Sequence, residues 1–231
     1  EQGAYNPALR QALLELGYLY SNQGDFLNAG ITFEKALHVS KANKGLHELS
    51  QVEIVELLID TNSELQNWPE LDKNLQYLFW LYKRNYSEED DRLLPVIERV
   101  GRWYMQAYQL HTGGEALVYM VKADDLFDKA LSVIVSQHGE EAKQLPAILS
   151  AAAIVNYQIA YDVNDAFRMS HRDIRQAMIP NKRPTPYLNE IAVRDYYFDQ
   201  SFHKGKRHLA RIVSIYEAGL PDTIQEYAQA L

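Results

Sequence analysis

The stretch LGYLYSNQGDFLNAGITFEKAL, residues 16–37, sets its smallest residues among its largest at regular helical distances. Gly17 and Ala29 let two backbones approach closely, and the bulky Tyr20 and Phe33 fill the space beside them. The tetrapeptide NQGD between the two sets is a turn signal. The stretch therefore predicts two antiparallel helices that are joined by a very short turn and that cross at small residues.

One helical hairpin cannot bury both of its faces, so it must stack on another copy. The small and large residues of this stretch also resemble the register of the tetratricopeptide repeat, a helix–turn–helix of about 34 residues. The matching positions are Leu16, Gly17, Tyr20, Ala29, Phe33 and Ala36. The resemblance is clearest over residues 10–43 and 95–136, and it implies an α-solenoid.

The pattern recurs later in the chain. ADDLFDKAL (residues 123–131) repeats the order of small, aromatic and charged residues in AGITFEKAL (residues 29–37), and Gly101 and Tyr104 precede it. The glycine and the alanine are 22 residues apart in this copy, against 12 in the first. We therefore expect a longer first helix here, or a loop around HTGG at residues 111–114.

Helical periodicity continues along the rest of the chain. The further predicted helices cover residues 51–65, 67–81, 144–161, 166–178, 187–202 and 206–218, with a break at NKRPTP (181–186) and a last helix that begins after residues 219–222. The fold class predicted is all-α: a tetratricopeptide-like α-solenoid of stacked antiparallel helix pairs with degenerate repeats, forming a single domain over residues 1–231. Because the pattern stops in mid-repeat, we expect the native protein to continue past Leu231.

Composition narrows the possible functions. The chain has no cysteine, which excludes disulfides, cysteine-ligated metal sites and cysteine nucleophiles. Its net charge is −8, and ten Lys and Arg against four Asp and Glu between Arg168 and Arg211 leave −14 for the remainder. This balance argues against nucleic acid as a partner. No apolar run approaches the roughly 20 residues that a membrane span requires.

Motifs for catalysis or for cofactor binding do not stand out. The sequence has no GxSxG, P-loop, GxGxxG or HExxH motif, and its seven histidines include no pair four positions apart. SHRD at residues 170–173 contains the letters of a triad, but adjacent helical residues point in different directions. The acidic run at residues 88–91 favours a helix start over a metal site. We predict no catalytic residue, metal or cofactor, and no enzymatic activity.

The family resemblance implies that first-helix residues line a concave groove. In the first repeat these residues are Gln11, Leu14, Tyr18, Ser21 and Asn22. The subgroup that binds chaperone tails has Lys and Asn at the positions of Leu14 and Tyr18, so that activity is not expected here. The groove is predicted to be neutral and aromatic and to suit an apolar or extended peptide. The chain has 16 Tyr, 7 Phe and 3 Trp residues, most of which are predicted to fill the core between repeats and some to bind a partner.

A basic segment, HKGKRHLAR at residues 203–211, is the second candidate surface. Its fixed cations are Lys204, Lys206, Arg207 and Arg211. They would meet an acidic partner, pair with the chain's own acidic surface on a neighbouring repeat, or form a solvated helix face.

These observations lead to one main functional hypothesis: a non-enzymatic scaffold that binds a protein or peptide through its concave face. The alternative is a regulatory sensor for a small molecule or signalling peptide, which an aromatic pocket near Trp80 or Trp103 would favour. A third hypothesis, an enzyme, would require a compact polar cluster with perturbed pKa values. Such modules are common in exported bacterial proteins, so we expect a periplasmic location over a cytoplasmic one.

Overall fold

A computed structural model describes residues 7–165, 169–178 and 190–217, and within these ranges the regular elements are all helices. The α-helices are α1 (Pro7–Asn22), α2 (Phe26–Lys44), α3 (Val52–Glu64), α4 (Trp68–Asn85), α5 (Leu94–Leu110), α6 (Gly113–His138), α7 (Leu145–Asn164), α8 (His171–Met178) and α9 (Glu190–Glu217). Two 3-10 turns, Leu49–Gln51 and Asp91–Leu93, precede α3 and α5. The predicted all-α class is confirmed. The predicted break at 181–186 and the last helix after 219–222 lie outside the described residues.

The helices fall into two compact units. The first ends at Glu88 and contains α1 to α4, and the second begins at Glu89 and contains α5 to α9. The single domain over residues 1–231 stays a prediction.

The first unit begins with the predicted hairpin of α1 and α2. Asp25 caps α2 by accepting a hydrogen bond from the amide of Asn28 at 3.2 Å, and Gly24 turns the chain with a φ of 75°. The ring of Phe33 is 0% exposed, and a Cβ on Gly17 would lie 2.3 Å from it. The glycine thus lets the two helices approach, as the small-and-large spacing predicts.

A second hairpin, α3 and α4, stacks against α2. Leu71, Leu75 and Leu78 form the buried stripe of α4, each at 5% exposure or less. The helices predicted over residues 51–65 and 67–81 are therefore confirmed as a pair, with α4 extending to Asn85.

The second unit opens on α5 and α6, which repeat the first hairpin in a longer form. A Cβ on Gly101 would lie 2.9 Å from the ring of Phe127. The extra residues between the two positions lengthen both helices, because α5 runs nine residues past Gly101 and α6 begins ten residues before Ala123. The predicted longer first helix is therefore confirmed, the second helix is longer as well, and the connection consists only of His111 and Thr112.

In the remainder of the second unit, α9 packs on α7, which also contacts α6, and α8 packs on α6. The expected boundary between helices at 202 and 206 is wrong, because α9 is one helix of 28 residues. Gly205 lies inside α9 and is buried, with a hypothetical Cβ 3.4 Å from the carbonyl oxygen of Ala153 and from Tyr157 on α7. The glycine permits close packing here instead of ending a helix.

Candidate functional site

The side of α1 on which Arg10 bonds to Glu53 of α3 is here called the α1–α3 face; Gln11, Tyr18 and Asn22 share it by their helical spacing. The guanidinium of Arg10 donates through Nη2 to the carbonyl of Ser50 and to Oε2 of Glu53, both at 3.2 Å. Tyr18 lies edge-on to Phe33 with 5.8 Å between ring centroids, lies near the carboxylate of Glu53, and is 40% exposed. Burial raises the pKa of the Tyr18 hydroxyl, and the Glu53 carboxylate adds to the rise.

Leu14 is a correction to the predicted groove. It is 2% exposed and belongs to the core, because it lies three positions before Gly17 on the face of α1 that packs against α2. Gln11 and Asn22 are exposed and Ser21 is half-buried. Glu53 adds to this face a carboxylate with a side chain 56% exposed, so the face is less neutral than predicted.

The basic segment of α9 is largely occupied by the chain's own carboxylates. Lys204 Nζ lies 2.7 Å from Oδ2 of Asp124 and 2.5 Å from Oδ2 of Asp128, both on α6. Arg211 bonds to Glu140 through its Nε at 2.9 Å and through Nη2. The sequence left three possibilities for this segment: an acidic partner, the chain's own acidic surface or a solvated helix face. Lys204 and Arg211 pair with the chain's own acidic surface. Lys206 and Arg207 are exposed.

The electrostatics around Lys204 show a half-buried cluster that joins α6, α7 and α9. Burial raises the pKa of Asp124, against the opposing effect of the Lys204 charge. Burial lowers the pKa of Lys204, but the attraction of its ammonium group to Asp124 and Asp128 outweighs burial, so the Lys204 pKa is raised. Asn156 on α7 donates to Oδ1 of Asp124 at 2.6 Å. The cluster has perturbed pKa values, yet its hydrogen bonds cross-link helices, which is a structural use.

Two acidic motifs also have structural uses. Ser170 and Asp173 form a reciprocal cap at the start of α8, in which Ser170 Oγ donates to the Asp173 carboxylate at 2.6 Å and accepts from the Asp173 amide at 3.2 Å. Asp90 accepts from Arg92, which holds the Asp90 pKa at about 2. Among the described residues, no group of three or more His, Asp or Glu side chains is placed to hold a metal ion.

A surface of the first unit contains Trp80, which the sequence suggested as a marker of an aromatic pocket. Tyr77 and Trp80 on α4 stack with 5.6 Å between centroids, and His47 lies 4.9 Å from Trp80. Lys41 Nζ lies 4.0 Å from the Tyr77 centroid, and Arg84 Cζ lies 5.8 Å from that of Trp80. We call these five residues the Tyr77–Trp80 platform. The spacing of three between the two aromatics is the only sequence signal for it.

The second unit contains a cavity of about 350 Å³ where α5, α6 and α7 meet. Its walls are Tyr108, Gln109, His111, Thr112, Gly113, Ala116, Asp162 and Met169. The Tyr108 hydroxyl donates to Oδ1 of Asp162 at 3.0 Å and accepts from Gln158 at 2.7 Å. Trp103, proposed from the sequence as a marker of such a pocket, is 6% exposed and belongs to the core.

Comparisons with known proteins identify similar solved structures but no matching family. No protein-family model matches the chain, and no curated protein matches it. A solved protein from Podosopora anserina, assigned as a kinesin light chain with nearly identical TPR-like repeats, is 13% identical, with 94% of this chain and 99% of that chain covered and a TM-score of 0.48. BtubC (BKLC) from P. vanneervenii is 16% identical, with coverages of 91% and 81% and a TM-score of 0.46. The fold assignment therefore rests on the helix pairs described above.

No helix in the described part of the chain combines the length and the apolar character that crossing a bilayer requires.

Proposed function

We propose that the chain is a non-enzymatic scaffold that binds a protein or peptide on its α1–α3 face. The observation that carries the proposal is the position of Tyr18, which packs edge-on against Phe33 and near the Glu53 carboxylate while 40% of it stays exposed. Tyrosine is enriched among residues that dominate binding energy at protein interfaces. A side chain already fixed in place loses little rotamer entropy when a partner binds.

The surroundings of Tyr18 suggest what the partner presents. Gln11 and Asn22 are exposed amides that offer hydrogen bonds to an extended backbone. Glu53 is half-exposed, and Glu15 is exposed and accepts a hydrogen bond from Gln11 at 3.1 Å. An extended peptide with an apolar residue against Tyr18 and a cationic residue beside Glu53 fits this face.

The non-enzymatic part of the proposal is supported by how the reactive side chains are used. Ser170 and Asp173 cap α8, and Lys204 joins α9 to α6. Ser170, Asp173 and Lys204 are the polar residues most suited to an active site, and their hydrogen bonds instead stabilise the fold.

The experiment selects peptides against the whole chain from a random display library and then measures affinity by fluorescence anisotropy. We expect Tyr18→Ala to weaken the selected peptides at least about tenfold, the effect of losing about 1.4 kcal/mol. Leu19→Ala is the matched control, because Leu19 is a neighbouring residue of α1 that is 59% exposed and points elsewhere. Equal affinity of the wild-type chain and Tyr18→Ala would contradict the α1–α3 face as the site.

The cavity beside Tyr108 supports a second candidate, a sensor of a small molecule. Its volume of about 350 Å³ lies within the usual range of small-ligand sites, and its walls mix hydroxyl, imidazole and thioether groups. A metabolite library screened by thermal shift tests the idea. We expect the shift of a true ligand to shrink in Tyr108→Phe and to persist in Tyr161→Phe, an exposed control on α7. A library without hits, or hits that ignore Tyr108→Phe, would remove this candidate.

The periplasmic location proposed from the sequence is supported by the lack of cysteine alone. Cell fractionation of the native organism with an antibody against the chain would test it.

A further inference from the structure

The two cations of the Tyr77–Trp80 platform, Lys41 and Arg84, have no acidic partner among the residues that the structure describes. Across residues 7–165, 169–178 and 190–217, Lys41 and Arg84 form no ion pair, and each lies over an aromatic ring instead. This distinguishes them from Lys73, which is paired with Glu70 at 2.8 Å, and from Lys204 and Arg211 on α9.

Lys41 is also partly removed from water. Burial lowers the pKa of its ammonium group, and the nearby charge of Lys73 lowers it further. A cation that has already lost part of its hydration gives up less on pairing than one in free solvent. A carboxylate brought to Lys41 by another molecule would therefore gain more than it gains from an exposed surface lysine.

The platform is held rigidly before any partner arrives. The Tyr77 hydroxyl lies 2.6 Å from Oε1 of Gln51 and 3.1 Å from the carbonyl of Leu46, and Gln51 is 0% exposed. Asn85 donates to the carbonyl of His47 at 2.8 Å, which fixes the loop beside Trp80. Leu46 on the same loop is 55% exposed and adds apolar surface.

We propose that the Tyr77–Trp80 platform binds an acidic, partly apolar segment of a partner protein. One carboxylate of the segment pairs with Lys41 and another with Arg84, and an apolar side chain packs against Trp80 and Leu46. Charge complementarity selects this occupant, because the platform presents, beside aromatic rings, two cations that form no ion pair within the described part of the chain. The site is separate from the α1–α3 face, so either proposal can fail without the other.

The test uses two fluorescein-labelled peptides that differ only in charge: one alternates Glu with Leu, and the other alternates Gln with Leu. Anisotropy is measured on the whole chain, whose net charge of −8 opposes unspecific binding of an acidic peptide. We expect the Glu peptide to bind, the Gln peptide to bind at least about tenfold more weakly, and added salt to weaken the Glu peptide.

The variants Lys41→Met and Arg84→Met remove the charge and keep much of the side-chain length. Each is expected to weaken the Glu peptide about tenfold or more. Lys35→Met, at an exposed lysine of the same helix as Lys41, is the matched control and is expected to leave affinity unchanged. A Glu peptide that does not bind, or one that Lys41→Met binds as tightly as the wild-type chain does, would overturn the proposal.

Two further measurements keep the test decisive. Lysine methyl groups introduced by reductive methylation report on the wild-type chain by NMR, and the Lys41 signal is expected to move on addition of the Glu peptide while that of Lys35 stays. Sedimentation of the unliganded chain tests for self-association. A dimer of the wild-type chain that Lys41→Met converts to monomer would overturn the proposal of a separate partner, because a second copy of the chain would then occupy the platform. A monomer at all concentrations supports the proposal.

Discussion

The packing of Gly17 against Phe33 predicts that Gly17→Ala lowers the stability of the protein, although alanine has the higher helix propensity. In Gly17→Ala, the new Cβ would lie 2.3, 2.6 and 2.9 Å from the Cε1, Cδ1 and Cζ atoms of the Phe33 ring. The ring is 0% exposed and is enclosed by the core, so it cannot swing away. Either the ring or the helix must shift, and overpacking of this kind costs about 1–3 kcal/mol.

The magnitude follows from two opposed effects. Alanine stabilises a helix interior by about 1 kcal/mol relative to glycine. Three ring atoms approach below 3.0 Å, so we take the upper end of the overpacking range, about 3 kcal/mol. The free energy of unfolding of the first unit is therefore expected to fall by about 2 kcal/mol.

Gly30→Ala is the matched control in the same hairpin. Its new Cβ would meet only Cγ2 of Thr61 at 3.4 Å, so the helix-propensity gain is expected to prevail, with a rise of about 0.5–1 kcal/mol. Urea unfolding followed by far-UV circular dichroism and by tryptophan fluorescence measures both variants. If Gly17→Ala raises the urea midpoint as Gly30→Ala does, the argument from close packing is wrong.

Three further predictions concern α9. Lys204→Glu places a further carboxylate beside Asp124, so we expect the free energy of unfolding to fall by about 3 kcal/mol. Arg207→Glu, at an exposed position, is the control and should change it by less than about 0.5 kcal/mol. Similar urea midpoints for the two variants would contradict this prediction. Burial, reinforced by the Lys204 charge, lowers the pKa of His208 below its ordinary 6.5, so its contribution to stability is complete above pH 6.5 and is lost as the pH falls through 6.5 towards the folded-state pKa. The urea midpoint should fall less over this window in His208→Gln, and an unchanged pH profile would refute it. Gly205→Ala should be tolerated and Gly205→Leu should lower the melting temperature, because a Cβ has 3.4 Å of space and a longer side chain would meet α7.

The helix pairs followed from residues that lie near one another in the chain. The spacing of Gly17 and Phe33 predicts the first hairpin, and the matching positions Gly101 and Phe127 predict its later copy. Gly205 shows where this reasoning fails. A glycine between two apolar runs indicates a helix end, but the contact of α7 with α9 covers its bare backbone and keeps the helix continuous.

The candidate site was less accessible to sequence reasoning. Both Tyr18 and Leu14 were assigned to the groove; Tyr18 is exposed in the structure, whereas Leu14 packs in the core. Of the platform, only Trp80 was named from the sequence, as the marker of an aromatic pocket. Its significance depends on Lys41, which comes from another helix and lies 4.0 Å from the Tyr77 ring.

The amino-acid sequence by itself determined that this protein is built from antiparallel helix pairs, because helical periodicity and small-residue crossings are local properties of the chain. Only the tertiary structure decided which charges are available to a partner. Lys204 and Arg207 look alike in sequence, yet Lys204 meets Asp124, 80 positions away, while Arg207 remains exposed. Successive helical residues point about 100° apart, so the helix that packs alongside determines which cations are paired and which are not.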